Sequence, residues 1–290
     1  MYRIAILGCE NSHADAFLNL IINKKRYPDI EVVGVYSNED EATERMKNNF
    51  GVYTAKSFDE FVGRVDGIVI TARDGRNHYK YAKPYIKSGI PMFIDKPITS
   101  DEDEAITFMR ELKANGCKAV GGSSCVHSPL VKELAAKVKT GEFGKVWGGY
   151  LRAPINLVNN YGNFFFYSQH LVQVMQTVFG YYPKSVKTYQ TEDVISLIVR
   201  YDEYDVLAQF TAKDWTYIAT VSFEKGFEGG IYPVNEELYP HEFNEFYNIL
   251  RGGEQPHSYR EIMAPVPVLC AIDRALVSGK EEQISAVEEI

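Results

Sequence analysis

The sequence predicts an α/β Rossmann-like domain with a doubly wound parallel sheet, followed by an α+β domain with a mostly antiparallel open sheet. Two patterns lead to this prediction. In the first 122 of the 290 residues, short apolar runs alternate with segments of helical periodicity, and parallel strands need such helical crossovers. After Gly122, several strand-like segments follow one another closely, as antiparallel strands joined by short turns do. We therefore predict one domain over residues 1–122 and a second over residues 123–290.

The apolar runs of the first domain are typical of parallel strands that are buried on both faces. They cover residues 3–7, 30–36, 67–72, 91–94 and 118–121. Apolar residues at helical spacing predict helices between these strands, over residues 12–24, 39–49, 77–88 and 101–115. The last two helices are each followed by a glycine, which is a favoured helix C-cap.

The second domain is predicted to contain both helices and a sheet. Helices are expected over residues 129–139, 167–179, 238–250 and 259–278, and strands over residues 145–153, 185–190, 194–201, 206–212, 215–223 and 228–234. The segment 215–223 alternates, with Trp215, Tyr217 and every second residue after them on one apolar face. A sheet with one buried face and one more polar face is typically antiparallel.

Charge and cysteine usage exclude several classes of protein. With 31 Lys and Arg against 39 Asp and Glu, the net charge is −8, which argues against nucleic acid as a partner. No apolar run is long enough to span a bilayer, and residues 1–9 are predicted to form a strand rather than a signal peptide. The four cysteines form no CxxC pair and the histidines have no metal-binding spacing, so we expect no metal site and a reducing cytoplasm.

The first strand is followed by a turn that only partly fits a dinucleotide fingerprint. The pattern G-x-G-x-x-G requires three glycines, and here only Gly8 matches, with Glu10 and His13 in the other two places. The backbone amides of Cys9 to Asn11 could cradle a phosphate if the Glu10 carboxylate points away from it. Alternatively, the segment is an ordinary strand–helix turn with Ser12 as N-cap.

A candidate ligand site follows the later strands. The second strand ends near Ser37, a neutral residue where NAD-binding folds place an acid, so the choice between NAD and NADP stays open. The fourth strand ends at Asp95-Lys96-Pro97, at the sheet edge where open α/β folds bind ligands. Lys96 could donate a proton there or bind a substrate hydroxyl. The alternative is a surface turn with a solvated ion pair.

These residues together resemble the Gfo/Idh/MocA family of oxidoreductases. Its members carry Thr-Pro-Asn…His after one strand and Glu-Lys-Pro after a later one, and Thr71, His78 and Asp95-Lys96-Pro97 stand in those places with matching spacing. The resemblance extends over residues 132–146 and 243–278. It implies an NAD(P)-dependent oxidoreductase that acts on a secondary alcohol of a sugar, polyol or sugar-derived acid. It also implies a homodimer or homotetramer. The dinucleotide would lie along Gly8, Cys9, Glu10, Asn11, Ser37, Thr71, His78, Asp95 and Lys96.

The resemblance implies that Lys96 and His170 are the catalytic residues. The family carries Asp-x-x-x-His-x-x-Asp on a helix near mid-chain, and residues 166–173 align with it, with Phe166 and Gln173 in place of the two acids. His13, which would begin the first helix close to the expected nicotinamide or phosphate, is a second candidate site residue. The missing acids also allow a catalytically degenerate ligand-binding or regulatory protein of the same fold, or non-redox chemistry with a tightly held cofactor. The chain has 20 Tyr and 16 Phe, which raises the question whether aromatic side chains replace carboxylates around this site.

Overall fold

The computed structural model describes residues 1–287 and 289–290, and it confirms the predicted fold class. Its N-terminal part is a five-stranded parallel sheet in the order β2-β1-β3-β4-β5. The strands are β1 (Tyr2–Leu7), β2 (Ile30–Tyr36), β3 (Gly67–Ile70), β4 (Met92–Asp95) and β5 (Ala119–Gly122). The intervening helices are α1 (Ser12–Leu18), α2 (Asp40–Phe50), α3 (His78–Ile86) and α4 (Glu102–Ala114).

Strand register brings the predicted ligand-binding turns to one edge of this sheet. Leu7 of β1 pairs with both Tyr36 of β2 and Ile70 of β3, and Ile70 pairs with Ile94 of β4. Because these parallel strands end level with one another, the residues that follow them lie side by side at the carboxyl edge of the sheet.

The second sheet has seven strands in the order β11-β10-β6-β9-β8-β7-β12. Its strands are β6 (Val146–Pro154), β7 (Ser185–Gln190), β8 (Val194–Arg200), β9 (Asp205–Thr211), β10 (Ile218–Phe223), β11 (Gly226–Ile231) and β12 (Glu282–Gln283). All neighbouring pairs are antiparallel except β6 and β9. The helices of this half are α5 (Pro129–Thr140), α6 (Phe164–Phe179), α7 (Tyr239–Leu250), α8 (Tyr259–Met263) and α9 (Pro265–Ser278).

Several predicted boundaries were wrong, each for a local physical reason. The helix predicted over residues 259–278 is two helices, because Pro265 lacks the amide needed to continue α8 and instead begins α9. The predicted strand 215–223 begins only at Ile218, and Trp215 is 60% exposed instead of lying on the buried face. The first helix changes after Leu18 to a π-helix over Asn19–Asn23.

Helix α7 packs against the N-terminal sheet, although it follows the strands of the second sheet in the chain. Phe243 and Phe246 are fully buried in one hydrophobic cluster with Phe17 of α1 and Phe93 of β4. Helix α7 is therefore held against the first sheet. The domain boundary at residue 122 stays a prediction. No helix among the described residues is long and apolar enough to cross a membrane.

Candidate functional site

The first βα turn is fixed against the loop after β3. Gly8 has φ +85°, and a Cβ on it would lie 2.3 Å from the Ala72 backbone, so only glycine fits here. Thr71 donates from Oγ1 to the Gly8 carbonyl at 3.0 Å. His78 Nε2 lies 2.8 Å from the Ala72 carbonyl oxygen, and burial lowers the pKa of this imidazole. Thr71 and His78 are fully buried, so the structure places them behind the turn as supports.

The Glu10 carboxylate connects the same turn to the tip of β2. It accepts a hydrogen bond from the Ser37 hydroxyl at 2.6 Å and another from the Arg73 amide at 3.1 Å. Both Glu10 and Ser37 are buried. The amides of Gly8 and Cys9 donate to the Tyr36 carbonyl. The Cys9 amide therefore holds β2 in place, and Glu10 supplies the negative charge that the sequence lacks at Ser37.

Asp95 organises the next layer of the site. Its carboxylate accepts hydrogen bonds from Asn11 Nδ2 at 2.9 Å and from its neighbour's amide, Lys96 N, at 2.6 Å. His13 Nδ1 lies 2.8 Å from the same carboxylate. Burial opposes ionisation of Asp95, but His13 and Lys96 outweigh it and hold its pKa below the usual value. Asp95 is completely buried, so it orients Asn11 and His13 from behind.

Glu242 reaches this cluster from α7, and sequence reasoning missed it. Its Oε2 lies 3.8 Å from His13 Nδ1. Within residues 1–287 and 289–290, neither of its carboxyl oxygens has a hydrogen-bond partner. Burial, together with the charge of Asp95, raises the pKa of Glu242 well above its ordinary value, which favours its protonated form. Ligating atoms of His13, Asp95 and Glu242 lie within 4.8 Å of one another, so the cluster can hold a proton or a cation. The sequence analysis, which predicted no metal site, did not anticipate this cluster.

Lys96 projects from the end of β4 toward aromatic rings. Its Nζ lies 4.6 Å from the centre of the Phe166 ring and 5.7 Å from that of Tyr167. Lys96 is buried, and burial lowers its pKa although Asp95 and Glu242 act in the opposite direction. The ring that contacts the ammonium group thus belongs to the residue that the sequence resemblance aligns with the family's first acid.

His170 of α6 is held by two hydrogen-bond donors. Its Nδ1 lies 2.7 Å from Ser123 Oγ and 3.4 Å from Cys125 Sγ. Burial raises the pKa of Cys125 to about 12, so the sulfur carries its proton. Burial, and then the charge of Lys96, lowers the pKa of His170 well below its usual value. The imidazole is therefore neutral, with Nδ1 as acceptor and Nε2 carrying the hydrogen.

Gln173 contacts the segment that carries Ser123, a partner of His170. The sequence resemblance aligns Gln173 with the family's second acid. Its Oε1 accepts hydrogen bonds from the Ser123 amide at 2.8 Å and from Gln169 Nε2 at 3.1 Å. Gln169 in turn accepts from the Ile98 amide at 3.1 Å. These neutral amides connect α6 to the loops after β4 and β5, so they fix the position of His170 without adding charge.

A cavity of about 300 Å³ lies between these groups. It is lined by Asn11, Ser12, His13, Arg73, Lys96, Ser124, Tyr161, Phe166, Tyr167, His170, Tyr217, Val234 and Tyr239. The predicted site residues Asn11, Lys96 and His170 share this cavity, as does the second candidate, His13. Gly8, Cys9, Glu10, Ser37, Thr71, His78 and Asp95 are not among the lining residues.

Arg73 and Tyr161 are further cavity residues that sequence reasoning missed. Arg73 lies between Thr71 and His78, so its place in that loop was a usable signal. Tyr161 had none, since it belongs to a loop before α6 that reaches Arg73 only in the folded chain: Arg73 Nη1 donates to the Tyr161 hydroxyl at 2.8 Å.

Comparison with known proteins identifies the N-terminal part. Residues 2–122 match the model of the GFO_IDH_MocA family, described as an oxidoreductase family with an NAD-binding Rossmann fold. This part of the chain is similar to the Gfo/Idh/MocA family. The match covers all five strands of the first sheet and ends where β5 ends. No curated protein matches the chain.

Solved structures extend the Gfo/Idh/MocA similarity of fold over nearly the whole chain. Scyllo-inositol dehydrogenase from Lactobacillus casei, with bound NAD(H) and scyllo-inositol, is 15% identical, with a TM-score of 0.85 over 99% of this chain and 100% of that one. Myo-inositol 2-dehydrogenase from Lactobacillus plantarum is 14% identical, with a TM-score of 0.83 over 98% and 99%. GenD2 from gentamicin A biosynthesis, in complex with NAD, is 13% identical, with a TM-score of 0.84 over 98% and 97%. At these identities the similarity shows a shared fold.

Proposed function

We propose that this protein is an NAD(P)-dependent oxidoreductase that acts on a secondary alcohol of a sugar, polyol or sugar-derived acid. One observation carries the proposal: Lys96 and His170, from separate halves of the chain, line a single cavity next to the first turn of an NAD-binding fold. The structural relatives that bear NAD(H) and an inositol support both the cofactor and the substrate class.

The residues at the sheet edge fit a dinucleotide. Gly8 lets the turn approach the β3 loop closely, and Asn11, Ser12 and His13 line the cavity at the start of α1. The nicotinamide ring, when bound, supplies the hydride acceptor or donor. Asn11 and His13, each held in position by Asp95, would help to hold the dinucleotide on this side of the cavity.

Lys96 is suited to accept the hydroxyl proton of the substrate. Burial lowers its pKa, and Phe166 provides a ring face where the family has a carboxylate, so the uncharged amine is more accessible near neutral pH. In the direction of alcohol oxidation, Lys96 Nζ accepts the O–H proton, and the nicotinamide, when bound, would accept the hydride of the carbinol carbon, so that a ketone remains.

His170 complements Lys96 as a hydrogen-bond donor. Ser123 and Cys125 both contact Nδ1. With the Ser123 hydroxyl donating to Nδ1, Nε2 carries the ring hydrogen and can donate it to the substrate oxygen. A neutral donor stabilises the negative charge that grows on that oxygen as its proton leaves. Lys96 therefore moves the proton, and His170 positions the oxygen.

The Glu10 carboxylate favours NAD over NADP. It lies 2.6 Å from Ser37 at the tip of β2, where Rossmann folds meet the ribose of the adenosine. A 2′-phosphate brought to this place would meet a buried negative charge, whereas an unmodified ribose would not.

Cofactor binding and turnover test the proposal in two steps. NADH binding is followed by fluorescence, and NAD reduction is then measured with inositols, aldoses and sugar acids. We expect Lys96→Met to lower kcat by about 100-fold or more while NADH affinity is unchanged, since general acid–base catalysis contributes that much. Absence of binding of NAD(H) and NADP(H) at millimolar concentration would overturn the proposal. Cofactor binding without Lys96-dependent turnover would point to a ligand-binding or regulatory protein.

A further inference from the structure

The cavity carries a net positive lining. Its charged side chains are Arg73 and Lys96, and none of its lining residues in the described part of the chain is acidic. Asp95 is completely buried behind Asn11 and His13, and Glu242 is also buried and does not line the cavity. A ligand in the cavity therefore meets the permanently charged guanidinium group of Arg73 and no exposed carboxylate.

Arg73 is not needed to neutralise an acid of the protein. In the described residues it has no carboxylate within ion-pair distance, and its side chain contacts the hydroxyl and the ring of Tyr161, the ring centre lying 5.1 Å away. Arg76 on the same loop instead pairs with Asp74 at 2.6 Å. A guanidinium group has five N–H donors, so most of those of Arg73 remain for a ligand.

Tyr161 completes an anion-binding pair with Arg73. Its hydroxyl oxygen accepts from Arg73 Nη1, which leaves its own hydrogen to donate. Its ring packs on Phe166 with centroids 5.4 Å apart, and Phe166 also contacts the Lys96 ammonium. The Arg73–Tyr161 pair and the Lys96–His170 pair thus belong to one continuous wall.

We propose that Arg73 and Tyr161 bind an anionic group of the substrate, so that the protein acts on an anionic sugar or polyol in preference to a neutral one. This inference rests on the proposed function for the reacting alcohol at Lys96 and His170. A planar guanidinium group matches a carboxylate or a phosphate through paired hydrogen bonds. The tyrosine rings of the lining supply apolar faces for the C–H bonds of the ring or chain.

Calorimetry on the full chain tests the proposal without requiring turnover. A hexuronate, the matching neutral hexose and the matching hexose 6-phosphate are titrated into the protein with and without NADH. We expect at least one anionic ligand to bind about 10- to 100-fold more tightly than the neutral hexose, as expected for charge-assisted hydrogen bonds. The hexuronate and hexose phosphate titrations show which anion is preferred.

Variants assign the preference to Arg73. Arg73→Gln should abolish it, Arg73→Lys should restore part of it, and Arg76→Gln should leave it intact as the matched control. Equal affinity for neutral and anionic ligands would overturn the proposal. An Arg73→Gln variant that binds NADH more weakly but keeps the preference for anionic ligands would also overturn it. Anion binding without NAD-dependent turnover would contradict the proposed function only, whereas turnover of neutral polyols without anion preference would contradict this inference only.

Discussion

Lys96 Nζ lies 4.6 Å from the centre of the ring of Phe166, the residue that the sequence resemblance aligns with an aspartate of the family. A ring face attracts an ammonium group more weakly than a carboxylate does at short range in a buried site. The substitution therefore leaves burial as the dominant influence on Lys96 and keeps its pKa lowered. The aromatic ring changes the proton affinity of the candidate base rather than removing the base.

Restoring the carboxylate should move the pH profile toward alkaline pH. In Phe166→Asp the new negative charge stabilises the ammonium form of Lys96, so the uncharged amine forms only at higher pH. We expect kcat/KM for alcohol oxidation at pH 7 to fall about 10-fold or more and to recover as the pH rises. The measurement is kcat/KM against pH for wild type and variant.

Phe166→Leu is the matched control for this experiment. It removes the ring but adds no charge, so the acidic limb of the profile should not move to higher pH. Thermal unfolding checks that both variants fold. An unchanged acidic limb in a folded Phe166→Asp protein would show that Lys96 is not the group that titrates in the profile.

The hydroxyl of Ser123 should affect catalysis through His170. Ser123→Ala removes the closer of the two donors to Nδ1, at 2.7 Å, so the imidazole loses its fixed tautomer and orientation. We expect kcat to fall about 10-fold or more with little change in KM, as for other groups that orient a catalytic histidine. Steady-state kinetics measures the two parameters separately.

Ser128 provides a control for this substitution. It is a buried serine whose Oγ has no hydrogen-bond partner among the described residues, so Ser128→Ala should leave kcat unchanged. Equal kinetic effects of the two substitutions would indicate a general loss of packing in this loop, and the positioning role of Ser123 would be wrong.

The sequence predicted the fold well because apolar periodicity is a local property of the chain. Parallel strands buried on both faces and helices ending at glycine are visible in short windows. Lys96 and His170 were likewise predicted as site residues from motifs that lie within a few residues of them, and the structure places both in one cavity. Trp215 was misplaced because alternation alone does not show where a strand begins.

Glu242 and Tyr161 could not be found in the same way. Glu242 reaches His13 because Phe243 and Phe246 pack α7 against the first sheet. An apolar helix face does not reveal which sheet it will cover. Tyr161 meets Arg73 through a loop with no periodic pattern. Side-chain clusters assembled by long-range packing therefore need the tertiary structure.

Protonation of Glu242 should make stability depend on pH. Its pKa is raised in the folded state by burial and by Asp95, with Glu245 adding to the effect and Lys96 opposing it; His13 lies 3.8 Å away. Above the pKa of the unfolded chain, the folded state holds a proton that the unfolded state has released. The stability contributed by this group is therefore complete at low pH and is lost as the pH rises toward its folded pKa.

Glu242→Gln should remove this dependence. We expect its free energy of unfolding, relative to wild type, to increase from pH 5 to pH 8 by up to about 1.4 kcal/mol per pH unit. Urea unfolding across this range measures it. Glu245→Gln is the comparison, since burial raises the pKa of Glu245 to about 7 and its trend should level off there. A difference between Glu242→Gln and wild type that stays constant with pH would show that Glu242 is ionised in the folded protein.

Replacing Glu10 should relax the choice of cofactor. In the wild type, Ser37 and the Arg73 amide donate to the Glu10 carboxylate at 2.6 and 3.1 Å. Glu10→Gln keeps an oxygen that can accept one of these hydrogen bonds, but it removes the negative charge. We expect the affinity for NADPH to rise about 10-fold or more, because a like charge near the 2′-phosphate is gone, while the affinity for NADH changes little.

Glu44→Gln, which replaces an exposed acid on α2, controls for the change in net charge. Fluorescence titration with both cofactors measures the ratio. A ratio that is the same in Glu10→Gln and wild type would show that the charge of Glu10 does not set the choice of cofactor.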